Sequence, residues 1–171
     1  MARRKLLGRK EFIPPVIKVL DGWQLTLDVE ERQLLLRLMA ELRALIEGPD
    51  DNALLGRLFP NAYPDDEEKE AEYQRLMREE LVTSRVAAIE SVSALLVADG
   101  AATPDTVWDE GQTIAFMQSI NAIRLVLGSL LGIDDDESAD DAEAQESPEH
   151  QLYDFLSWLL EWTVRALSPE I

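Results

Sequence analysis

The sequence predicts a mainly α protein, a compact helical domain of about four main helices preceded by a short N-terminal β-hairpin. Three observations carry that expectation. Apolar residues recur at helical spacing over four long segments, and two short β-type runs flank Asp21-Gly22. The chain has 171 residues and 46% apolar content, enough for one hydrophobic core.

The elements follow in order. After Pro14-Pro15 comes VIKVL-DG-WQLTL, expected as a hairpin over 16–27. Asp-Gly suits a type I′ turn, where both central positions need positive φ. Pairing across it puts Val16, Leu20, Trp23, Leu25 and Leu27 on one face and Ile17, Val19, Gln24 and Thr26 on the other. A lone ribbon is marginal in water, so its apolar face must pack on the helices. Asp28 with Glu31 reads as a capping box opening a helix through Leu35, Leu38, Met39, Leu42 and Ile46. Gly48-Pro49 stops it.

A connection punctuated by Pro49, Pro60 and Pro64 carries Leu54, Leu55, Leu58 and Phe59, which mark a short packed turn. Asp65 to Glu68 put negative charge at the start of a long helix reaching about Ala98, charged early and apolar late. The stretch AATPDTVWDEG reads as a loop before a third helix, from about Thr113 to Leu131, stopped by Gly132. Residues 134–149 hold nine acidic groups and no Lys or Arg, the composition of a disordered loop. A last helix, about Glu149 to Leu167, is apolar nearly all round, which suits a central position or a subunit interface.

Charge divides the chain unevenly. Lys and Arg number 16 against 34 Asp and Glu, a formal charge of −18. Residues 1–18 carry a net +5, leaving −23 on the rest. The expected organisation is a basic arm, 1–15, on a single acidic domain, 16–171. With no cysteine, disulfides, thiol catalysis and cysteine-ligated metals are excluded, and the single His150 excludes a multi-histidine site. The N-terminus lacks a signal peptide's apolar stretch, and the sequence reads as free of any apolar run of about 18 residues, so a cytoplasmic protein away from membranes is expected.

Few side chains suggest chemistry. Arg85, Asn121 and Arg124 sit among apolar neighbours, and Tyr153 and Asp154 open the last helix's apolar run. Buried guanidinium needs acceptors, here sought among Glu80, Glu90, Asn121 and Asp154. Two readings stay open: a polar network fixing helix register, or a small-anion pocket. Carboxylate runs such as Glu79-Glu80 look solvated rather than poised as an acid–base pair. The tract from Asp134 has a calcium-loop spacing but lacks Gly at its sixth position (Ala139) and Glu at its twelfth (Gln145), so no metal is expected. There is no P-loop and no G-x-G-x-x-G, and Ser84, Ser91 and Ser93 have no histidine nearby in sequence, so neither catalysis nor a cofactor is expected. Phe155, Trp158 and Trp162 form an aromatic stripe suited to core packing or a homodimer seam. Arg3, Arg4, Lys5, Arg9 and Lys10 could lie along DNA phosphates, although the acidic body opposes that approach.

Four stretches, LLGRLFPNAYPDDEEKEAEYQRL, EELVTSRVAAIESV, MQSINAIRLVLGSLLGI and QLYDFLSWLLEW, resemble one actinobacterial family, long of unknown function, whose members are described as AosR-like oxidative-stress transcriptional regulators. Arg-Leu-Phe-Pro-x-Ala-Tyr (57–63) and Asn-x-x-Arg-Leu-x-Leu-Gly (121–128) are the most specific parts. The resemblance implies a mostly helical, cytoplasmic, non-enzymatic regulator of transcription, acting through DNA or a basic protein partner. The family's gene neighbourhood implies an alternative, an interaction module in Clp-type regulated proteolysis. Redox sensing by a cysteine pair, proposed within the family, has no counterpart in a chain without cysteine.

The arm makes a direct prediction. If it grips about five phosphates, anisotropy with duplex DNA gives a log–log salt slope of about −4 to −5 that disappears when residues 1–11 are deleted. No binding at about 50 mM salt would remove direct DNA contact.

Overall fold

The computed structural model describes residues 11–49, 52–98, 106–133 and 147–169. In order these form β1 (Val16–Val19), β2 (Gly22–Leu25), α1 (Val29–Glu47), a 3-10 turn (Ala53–Leu55), α2 (Glu67–Ala98), α3 (Glu110–Leu131) and α4 (Pro148–Leu167). The fold is mainly α with four helices and an N-terminal hairpin, as the sequence predicts.

Local chemistry sets each helix start. Asp28 accepts from the Glu31 backbone while Glu31 bonds back to the Asp28 N–H, so the expected capping box is present. Asp109 and Gln112 form a second box that opens α3 three residues before the expected start. Ser147 caps α4, with Pro148 in its first turn. At the other end of α3, Gly132 takes a left-handed conformation (φ 67°) and the Ile133 N–H reaches back to the Gly128 carbonyl.

The hairpin differs from expectation by one position. Val19 pairs with Gly22, so the turn residues are Leu20-Asp21 rather than Asp21-Gly22. No non-glycine residue has positive φ among the described residues, which rules out type I′. Leu20, expected on the packed face, sits at the turn tip and is 99% exposed. The displaced glycine has another reason to be there. A Cβ on Gly22 would lie 2.2 Å from the Trp108 carbonyl oxygen. Trp23 and Trp108 exchange two backbone hydrogen bonds, of 3.0 and 2.7 Å, so the stretch read as a loop supplies a third, one-residue strand.

α3 is the axis of the core and packs on α1, α2, α4, the 3-10 turn and β2. Its length and composition would suffice to cross a bilayer, which corrects the sequence reading that no such run exists. In this fold Phe116, Ile120, Ala122 and Ile123 of α3 meet Leu35, Met39, Leu42, Val92, Leu96, Leu156 and Leu159 in one apolar cluster. Arg32, which the sequence reading passed over, lies in that interior at 4% exposure. Its Nε donates to the Leu27 carbonyl at 2.9 Å and its Nη2 to that of Leu25 at 2.7 Å. A buried cation is tolerated where carbonyls take its donors, and here it ties the end of β2 to α1. On the far side, the Trp23 indole N–H donates to the Ala166 carbonyl at 2.8 Å, fixing the hairpin to the last turn of α4.

Two substitutions test this framework by chemical denaturation. Gly22→Ala forces the Trp108 strand away and costs about 2 kcal/mol or more. Arg32→Met leaves buried carbonyls unpaired and costs about 2–3 kcal/mol. Stabilities within about 0.5 kcal/mol of the parent would contradict both assignments.

Candidate functional site

α2 has two unlike halves. From Glu67 to Ala88 no residue is buried, whereas Ile89, Val92 and Leu96 are core. Residues 67–80 carry six acidic groups against three basic ones, and Glu67, Glu68, Glu72, Glu79 and Glu80 are all exposed. At 1.5 Å per residue this acidic half is about 21 Å long. The connection before it holds it at one end. Glu70 accepts from the Gln74 amide and the Tyr63 N–H, both 2.7 Å, which keep its carboxyl below the usual range. That contact contributes above the ordinary carboxylate pKa and is lost as pH falls through the lowered one.

Where α2 turns from half-buried to fully buried, a cleft of about 350 Å³ opens between it and α3. Leu81, Ser84, Arg85, Ala88 and Ile89 form one wall; Gln118, Ser119, Asn121 and Ala122 form the other. The sequence singled out Arg85 and Asn121, and the structure brings them to this cleft. It missed Ser119, whose only signal was one more small polar residue in an apolar run. None of the expected acids serves Arg85: Glu80 and Asp154 are exposed, and Glu90 pairs with Arg43 at 2.8 Å. Among the described residues Arg85 makes no ion pair or hydrogen bond, and the buried Ser119 hydroxyl has no hydrogen-bond partner.

Arg124 is turned elsewhere. Its Nε donates to Ser157 Oγ at 2.8 Å and its guanidinium lies 5.0 Å from the Tyr153 ring, joining α3 to α4. Asp154 is exposed and plays no part in that contact. The expected five-residue constellation therefore separates into a cleft with Arg85 and Asn121 and an interhelical tie with Arg124 and Tyr153.

The two most specific sequence stretches meet at one spot. Arg57 donates through Nη2 to the Ile133 carbonyl at the C-terminus of α3, where positive charge is favoured. A Cβ on Gly128 would lie 3.2 Å from Arg57 Nη1 and 3.3 Å from a Tyr153 ring carbon, so the glycine leaves room for both. Leu58 and Phe59 are buried, and the Arg78 guanidinium lies 4.2 Å over the Phe59 ring. Of the aromatic stripe, Phe155 and Trp158 pack on the core with rings 6.0 Å apart. Trp162 is flanked by Phe12 at 5.4 Å and Arg165 at 5.0 Å.

Arg3, Arg4, Lys5, Arg9, Lys10 and most of the acidic tract lie outside the described residues. Among the described residues no cluster of three or more His, Cys, Asp or Glu could hold a metal. The Arg124 tie predicts that Arg124→Met lowers stability by about 1 kcal/mol, read by urea denaturation. An unchanged midpoint would show the contact to be idle.

No curated protein and no solved structure matches the chain. The model of a domain of unknown function, DUF2017, matches residues 15–167, from the proline before β1 to the last residue of α4, and the chain belongs to that family.

Proposed function

We propose that the protein is a non-enzymatic regulator that acts by docking the acidic half of α2 on a basic surface of a protein partner. One observation carries this reading: over residues 67–80 about four turns of α2 hold Tyr73, Gln74, Met77 and Arg78 half-buried on one face, leave Glu68, Glu72 and Glu79 exposed on the other, and bear an acidic excess. The face opposite these half-buried side chains is left to solvent by the described residues and is free for another molecule. The charge of the whole body, −23 outside the first 18 residues, attracts a basic surface and speeds its encounter at low salt.

The resemblance to AosR-like stress regulators supports transcription as the process, with a basic component of the transcription machinery as partner. The charge of the arm supports DNA contact as a second route in the same process. The alternative context, Clp-type proteolysis, uses the same acidic surface with a different partner. A homodimer through α4 is compatible with each, and light scattering at micromolar concentration reads it directly.

The test compares what the intact protein captures from a cell extract with what a Glu68→Lys/Glu72→Lys/Glu79→Lys variant captures. The expected result is a basic protein retained by the first, lost with the second, and released by raised salt. Its identity separates transcription from proteolysis. Equal capture by both proteins would contradict docking through α2.

A further inference from the structure

The cleft between α2 and α3 contains polar groups that the fold itself leaves unused. Arg85 is half-buried in its wall, with neither a carboxylate nor a carbonyl partner among the described residues. A guanidinium keeps its charge at any physiological pH and offers five donors in a fixed fork. Across the cleft Ser119 is 3% exposed, and its hydroxyl is buried without a partner among the described residues. Buried hydroxyls in folded proteins are almost always satisfied. Ser129 and Thr163, also on helices, bond to the carbonyl four residues back, so the same solution was open to Ser119. Asn121 and Gln118 add amide groups beside it, while Leu81, Ala88 and Ile89 supply an apolar surface.

The chemistry of the missing occupant can be read from these walls. One cation with neutral donors suits a single negative charge. A phosphate dianion is favoured by several cations or a helix N-terminus. Arg85 and Asn121 are both mid-helix, and none of the described residues lining the cleft offers an aromatic ring for a base to stack on. The volume, about 350 Å³, lies at the small end of ligand pockets. We propose that this cleft binds a small aliphatic monocarboxylate. Its two oxygens accept the paired N–H groups of Arg85, and its alkyl part lies along Leu81, Ala88 and Ile89. The Ser119 hydroxyl and Asn121 amide donate to the carboxylate from α3. The bound molecule links α2 to α3 just before the fully buried stretch of α2, so it braces the half-exposed stretch that precedes it. This site stands independently of the docking role given to the acidic half.

The test uses the full chain, labelled with nitrogen-15 and titrated with sodium acetate, butyrate and hexanoate, and separately with sodium phosphate at matched ionic strength. Butyrate or hexanoate should give saturable amide shifts clustered at residues 84–89 and 118–122, tighter than acetate. Arg85→Gln should weaken binding about tenfold or more, with an unchanged or raised melting temperature, because it removes an uncompensated charge. Arg85→Lys keeps the charge without the fork and should fall between the two. No saturable shift with any carboxylate up to about 10 mM would overturn the proposal. So would equal binding by Arg85→Gln, a lowered melting temperature in that variant, or saturation by phosphate alone.

Discussion

α3 carries apolar side chains on nearly every side, and the arrangement of everything else follows from having to cover it. A helix of that composition is stable in water only when neighbours exclude solvent from several faces at once. α1, α2 and α4 each contribute leucine, valine or isoleucine side chains to the cluster around Phe116, Ile120 and Ile123. The 3-10 turn and β2 reach the same helix. Each neighbour can therefore be apolar on one face and charged on the other. α2 shows the limit of this arrangement: over residues 67–97 only Ile89, Val92 and Leu96 are fully buried, with Leu81, Val82, Val86 and Leu95 partly buried against the core.

Polar ties set the register that burial alone would leave loose. Arg32 takes the carbonyls at the end of β2, Trp23 takes a carbonyl at the end of α4, and Arg57 takes one just after α3. In each case a long donor side chain satisfies a backbone acceptor that its own element leaves open. The exposed Arg43–Glu90 pair also spans α1 and α2, but in high dielectric it adds little. Backbone carbonyls thus matter more here than ion pairs, despite the large excess of acidic residues. Arg85 stands apart from these three arginines because no carbonyl or carboxylate of the described residues meets it.

Much of the fold was legible because local chemistry and period agree. Asp28 and Glu31, the leucine spacing of α1 and the Gly132 stop each name their structure without tertiary information. The hairpin turn was misplaced because Asp-Gly is a good local signal, while Gly22 answers a distant requirement, the close approach of Trp108. Trp108 itself lay in a stretch of turn-forming residues, and nothing local marks a one-residue strand. Arg32 was passed over because a charged residue in the first turn of an amphipathic helix usually faces water. The cleft was half legible. Arg85 and Asn121 stood out as polar residues among apolar ones, but which of them face each other depends on how α2 crosses α3. Arg124, only three positions from Asn121, points instead to α4.

The functional account rests on the division of α2 into a packed half and an acidic half that is only half-buried along one face and exposed along the other. Native-state hydrogen exchange measures that division directly, because local opening free energy follows burial and packing. The account predicts amides of Phe116 to Ile123 in α3 among the slowest to exchange and those of Ile89 to Leu96 in α2 close behind. Amides from Glu68 to Glu80 should exchange far faster by local opening, while the rest of the domain stays closed. Equal protection along the whole of α2 would contradict the account, since it would mean that the acidic half is covered by the protein itself and is not free to meet a partner.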